Sequence, residues 1–189
     1  MRKIITLGVA CLLLMGSSGV GNADTGTVKI LGDEHFVPNA LIMASFRFAP
    51  GPLTAASGGT VTWDNTGNGA SADEPHTVTI VNKAQLPASI DQVFSCGAPG
   101  TVCGNALAAH FPAPIGGVCP PGAIPGPPGG PPCLVVTVNV GAAGLNTAGD
   151  SILIFPHGTV SATISAPSGS TLYYLCSIHA WMQGSIAVH

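Results

Sequence analysis

The chain has 189 residues, of which 46% are hydrophobic and only 7% charged, with five Lys or Arg, eight Asp or Glu and six Cys. Such a length supports one domain with its own core. So few cations exclude a nucleic-acid partner, because phosphate binding needs clustered Lys and Arg, and so few ionisable groups leave little material for acid-base catalysis.

Arg2 and Lys3 precede an apolar run, Ile4 to Met15, followed by small residues ending in Gly21-Asn22-Ala23. This is the layout of a secretory signal peptide over residues 1–23, with cleavage expected after Ala23. The apolar run falls short of the ~20 residues that span a bilayer, which argues against an uncleaved anchor. Gly8 also stands where lipid attachment at Cys11 would want a branched apolar residue. No later segment could span a membrane. Residues 24–189 are expected to form a single exported, monomeric domain whose only Lys and Arg are Lys29, Arg47 and Lys83.

Strand candidates then follow in chain order. Thr27 to Leu31 is the first; Val61 and Trp63 alternate with Thr60 and Thr62 after the turn-forming Gly58-Gly59, and Val78 and Ile80 alternate with Thr77 and Thr79. The period of two reads as half-buried strands. Leu134 to Val140, Ser151 to Phe155, Ser161 to Ser165, Thr171 to Cys176 and Ser185 to Val188 complete the set, and one weak helical candidate lies near Asn105 to His110. Gly, Pro, Asn and Ser separate these runs, so the expected fold is an all-β sandwich. A long irregular insertion, about 83–133, interrupts it. Of the thirteen residues from Pro120 to Pro132, eleven are Pro or Gly, a stretch that cannot build a helix or a central strand.

Cys11 leaves with the signal segment, while Cys96, Cys103, Cys119 and Cys133 cluster in the insertion. In an exported chain these four read as two disulfides. Three pairings are possible; Cys96 with Cys103 and Cys119 with Cys133 closes the shortest loops. Cys176 remains alone.

That lone cysteine lies in Leu175-Cys176-Ser177-Ile178-His179-Ala180-Trp181-Met182-Gln183-Gly184, between two strand candidates. A thiolate, an imidazole and a thioether so close together, joined by one more imidazole, form the trigonal set with a long axial Met that is typical of blue copper sites. His76 is the candidate for the second imidazole, because Pro75 holds its entry extended and the strand from Thr77 fixes its direction. His35 and His157 are fallback candidates, and His35, His110, His157 and His189 are otherwise read as structural or solvent-exposed. A carboxylate from Glu74 as ligand would convert the site to a red copper type.

Gly59-Thr60-Val61-Thr62-Trp63-Asp64-Asn65, Pro75-His76-Thr77-Val78 and Cys-x-x-His-x-x-Met-x-Gly together resemble the plastocyanin and amicyanin branch of the cupredoxins. Phe48-Ala49-Pro50 and Leu53-Thr54 add a weaker match. The resemblance covers about residues 46–82 and 160–188 and skips the Cys-rich centre. It implies a Greek-key β-sandwich, one type 1 copper held by His76, Cys176, His179 and Met182, and single-electron transfer. It also implies redox partner proteins docking near His179, with hydrogen bonds from Thr77 and Ser177 supporting the ligand loop. Trp181 is expected either at that docking rim or packed inside.

Multicopper oxidases and copper nitrite reductases use the same fold, but their further copper ions need a His-x-His pair or a His beside the ligand Cys. Here Leu175 and Ser177 flank Cys176 and no His-x-His occurs. A binuclear centre would need a second Cys four residues away, where Leu172 and Ala180 stand. The expected protein is therefore not an enzyme. The alternative of a different class is a copper carrier or store without redox turnover.

Overall fold

A computed structural model describes residues 25–189; the expected signal peptide lies outside them. The strands are β1 (Thr25–Leu31), β2 (Glu34–Val37), β3 (Leu41–Ala44), β4 (Arg47–Ala49), β5 (Pro52–Ala55), β6 (Thr60–Asp64) and β7 (His76–Val81). After the insertion helices α1 (Ile90–Ser95) and α2 (Val102–His110) come β8 (Ile124–Pro125), β9 (Cys133–Leu134), β10 (Thr137–Val138), β11 (Ser151–Ile154), β12 (Thr159–Thr163), β13 (Thr171–Leu175) and β14 (Gln183–Val188).

Two sheets face each other, one in the order β12-β6-β1-β4 and the other β10-β11-β7-β13-β14-β5. The chain passes between them after β4, β5, β6, β11 and β12, so many strands adjacent in sequence lie across the core and pairs are closed by remote strands. This is a Greek-key β-sandwich. Period-two alternation in β6 turns Val61 and Trp63 inward and leaves Thr60 and Thr62 half-buried. These side chains pack with Val28, Ile30 and Phe48 against Val78, Ile80, Ile154, Tyr174 and Ile186 of the facing sheet.

β7 departs from the expected half-buried strand: all six of its residues are buried. The insertion is the reason. Its helix α2 packs over the outer face of β7, and a second apolar cluster forms beneath the insertion from Val81, Cys96, Cys103, Leu175 and Ala180. The disulfides join Cys96 to Cys103 and Cys119 to Cys133, the pairing with the shortest loops.

Helix α1 and the β2–β3 hairpin are not among the elements expected from sequence. Ser89 caps α1 by accepting from Gln92 N, while Gln92 Oε1 accepts from Ala88 N. The Ser-x-x-Gln spacing is a sequence signal for such a start. The hairpin turns at Asn39, whose φ of 60° lies in the left-handed region that Asn tolerates.

In the parallel β1–β6 pair at the centre of its sheet, Lys29 stands in register with Asp64, the last residue of β6. The Asp64 carboxylate accepts from Thr66 Oγ1 (2.6 Å), Lys29 Nζ (2.9 Å) and Thr66 N (2.9 Å). These donors hold its carboxyl down to about 2. A depressed folded-state pKa adds stability that is complete above the unfolded value of roughly 3.9 and disappears as pH falls through the folded value. Stability should therefore decline between about pH 4 and pH 2 more steeply in the parent than in Asp64→Asn. Denaturant midpoints measured across that range check it, and parallel curves would remove Asp64 as a contributor.

Candidate metal centre

Topology brings the sequence-remote ligand candidates together. β7 begins at the end of the sandwich where antiparallel β13 stops and β14 starts, so His76 meets the 176–182 loop there. The loop is tight: Cys176 N donates to Met182 O (3.0 Å) and Met182 N to His179 O (2.8 Å). Cys176 and Met182 are buried, whereas His179 is half-buried.

His76 Nδ1 and His179 Nδ1 each lie 3.8 Å from Cys176 Sγ and 3.3 Å from one another. A triangle with those sides has a point about 2.1 Å from all three corners, close to the length of a metal bond to imidazole nitrogen or thiolate sulfur. Among the described residues, these three form the one group of His, Cys, Asp or Glu able to hold a metal ion. Glu74 is not part of it. His35 is exposed on β2, and His157 pairs with Asp73 at 2.9 Å on the surface.

The protonation states suit ligation. His76 Nε2 faces the carbonyl of Ser71 at 2.8 Å; a carbonyl only accepts, so Nε2 carries the proton and Nδ1 presents its lone pair to the cluster. Burial and the neighbouring His76 push His179 down to about 4, and burial lowers His76 as well. Both rings are thus neutral at neutral pH. Burial pushes the Cys176 thiol up, while Thr77 N (3.3 Å) and His179 N (3.4 Å) donate to its sulfur. The sulfur would ionise when a cation arrives, since a metal takes the thiolate and releases the proton.

Hydroxyls brace the loop from behind. Ser177 N donates to Thr77 Oγ1 (2.7 Å), and Thr79 Oγ1 lies 3.1 Å from Thr77 Oγ1 and 2.8 Å from Ser177 Oγ. On the outer side, Phe46 sets its edge against His179 (5.2 Å between ring centres) and His76 (6.0 Å). Trp181 contacts His179 at 5.2 Å and remains 41% exposed, so it sits at the rim rather than inside.

A soft sulfur anion, two neutral imidazoles and a buried thioether on the same short loop suit copper and fit poorly with magnesium or calcium, which take oxygen donors. A Greek-key sandwich carrying this donor set at one end offers a copper ion the sulfur and nitrogen donors that a blue copper site uses.

Comparisons with solved structures find chains of low sequence identity. Auracyanin from the photosynthetic bacterium Roseiflexus castenholzii is 18% identical, with 89% of this chain and 99% of that chain covered and a TM-score of 0.43. Plastocyanin from Dryopteris crassirhizoma is 20% identical over 86% of this chain and 99% of its own, with a TM-score of 0.36. A blue copper oxidase from Nitrosomonas europaea is 14% identical over 87% of this chain but only 38% of its own, with a TM-score of 0.36. No protein-family model and no curated protein matches the chain.

Proposed function

We propose that the protein is an exported, monomeric electron carrier in which His76 Nδ1, Cys176 Sγ, His179 Nδ1 and the Met182 thioether hold one copper ion. The observation that carries this reading is the triangle of one sulfur and two nitrogens with sides of 3.8, 3.8 and 3.3 Å. Bound copper would supply a one-electron couple. The chain supplies the rest: Ser71 O fixes the His76 tautomer, Thr77 and His179 N–H groups receive the thiolate charge, and the 176–182 loop keeps the donors in place. A site that holds the same donors in both oxidation states changes state with little rearrangement, which favours transfer over catalysis.

The rim around His179 suits brief docking of a redox partner. Trp181 lies beside a cavity lined by Ile42, Met43, Ile90 and Phe94, of which Ile42 and Phe94 are each at least 80% exposed. Small, weak interfaces serve such encounters. Export is supported by the two disulfides as well as by the N-terminal segment. Among the described residues no helix is long and apolar enough to cross a membrane.

Adding Cu(II) to the metal-free, reduced protein should give an intense visible thiolate-to-copper band and the narrow copper hyperfine splitting of a type 1 centre in EPR. Colourless binding would refute the ligand set. Fast electron self-exchange marks a carrier of electrons, whereas rapid handover of copper to an acceptor protein would mark a carrier of copper. Met182→Leu should keep the colour and raise the reduction potential, because Cu(II) loses more than Cu(I) when a fourth donor goes. For a one-electron couple, about 59 mV corresponds to a tenfold change in relative affinity. An unchanged potential would remove Met182 from the copper's donors.

A further inference from the structure

Five buried polar side chains run from the ligand loop to the end of helix α2, in the insertion that the cupredoxin resemblance does not cover. They are Ser177, Thr77, Thr79, Ser151 and His110, none more than 3% exposed. Ser151 Oγ lies 2.7 Å from Thr79 Oγ1 and 2.7 Å from His110 Nε2, and His110 Nδ1 lies 2.6 Å from the carbonyl of Val135. Val135 returns the contact by donating its N–H to His110 O (2.8 Å).

The direction of every hydrogen bond follows from that last carbonyl. It can only accept, so His110 Nδ1 carries a proton. In the neutral ring Nε2 is then an acceptor, and Ser151 spends its hydroxyl proton there. Ser151 Oγ in turn accepts from Thr79, which leaves Thr79 Oγ1 to accept from both Thr77 and Ser177. Thr77 Oγ1, its proton used on Thr79, keeps its lone pairs for the Ser177 N–H at 2.7 Å, while its own N–H points at Cys176 Sγ. Each hydroxyl donates once and no buried donor is left over. The opposite tautomer would set the Nδ1 lone pair against the Val135 carbonyl, two acceptors facing one another, and burial, which lowers the His110 pKa, keeps the ring neutral.

We infer that His110 is a positioning residue for the copper centre: through Ser151 and Thr79 it orients the Thr77 and Ser177 hydroxyls that hold the Cys176 loop. The insertion is on this account part of the metal site's support, placed there by α2 and gripped by Val135. The electrochemical consequence rests on the copper reading given above; the tautomer does not.

Two measurements separate the possibilities. Long-range ¹H–¹⁵N NMR of the metal-free protein should report His110 neutral and protonated on Nδ1. An Nε2-protonated or doubly protonated ring overturns the inference whether or not copper binds. In the copper form, His110→Leu should retain the blue band but shift its position and the reduction potential and slow self-exchange about tenfold, the scale on which partners of metal ligands act. His110→Gln, which can still accept from Ser151, should restore most of each shift. If His110→Leu fails to fold, Thr79→Val cuts the same sequence in the middle and should produce the same changes. A folded His110→Leu or Thr79→Val with the parent's potential and self-exchange rate overturns the inference. A colourless parent with the expected tautomer would instead overturn the copper reading.

Discussion

Cys176→Ser should abolish the visible band and lower copper affinity by more than about 100-fold, beyond what losing a mere supporting partner of a ligand costs. A serine hydroxyl does not ionise near neutral pH and offers no sulfur orbital for charge transfer to copper. The fold should survive, because the serine oxygen can still accept from the Thr77 and His179 N–H groups that point at the sulfur. Absorption titration with Cu(II), alongside near-ultraviolet circular dichroism, separates the two effects. A serine variant that turns blue would place the thiolate elsewhere, although Cys176 is the free cysteine among the described residues.

The second large effect belongs to a residue with no side chain. Gly184 stands opposite Tyr174 in the β13–β14 register, and the tyrosine ring lies across it. A Cβ at 184 would run into Tyr174 Cζ and OH and into Gly51 O. The ring has nowhere to retreat: Tyr174 is fully buried between Phe48 and Trp63, at 5.1 and 5.9 Å between ring centres. Gly184→Ala should therefore cost about 1–3 kcal/mol, as overpacking of a filled core does. At about 2–4 °C per kcal/mol for a domain of this size, calorimetry would register it. A Tm equal to the parent's would mean that the ring moves freely, contrary to its packing.

The ligand candidates were legible because three of them fall within one short loop and the fourth opens a strand marked by alternation and by Pro75. The core of β6 was legible for the same reason: one face of Val61 and Trp63 is turned inward and the other is half-wet. What sequence did not yield depends on chain-remote covering. β7 has the same alternation as β6, yet its threonine face is dry because α2 lies over it, and period alone cannot report what a distant insertion will cover. His110 was read as structural or exposed for a related reason. Its partners Val135 and Ser151 are 25 and 41 residues away, and no local spacing announces them. Helix α1 was missed although its Ser-x-x-Gln start is local, since six residues carry too few turns for a helical period to stand out from a Pro- and Gly-rich neighbourhood.

The five cysteines of residues 25–189 face a choice while the chain is still unfolded, when any of the sulfurs can couple with any other. Both disulfides close within the insertion, across 7 and 14 residues, so each can form from its own stretch of chain before the sheets meet. Cys176 is spared once β7 and the 176–182 loop close over it, for a sulfur with 0% exposure offers nothing for an oxidant or a stray thiol to attack. Short loops for the four paired sulfurs and burial for the fifth are what keep Cys176 apart from the disulfides.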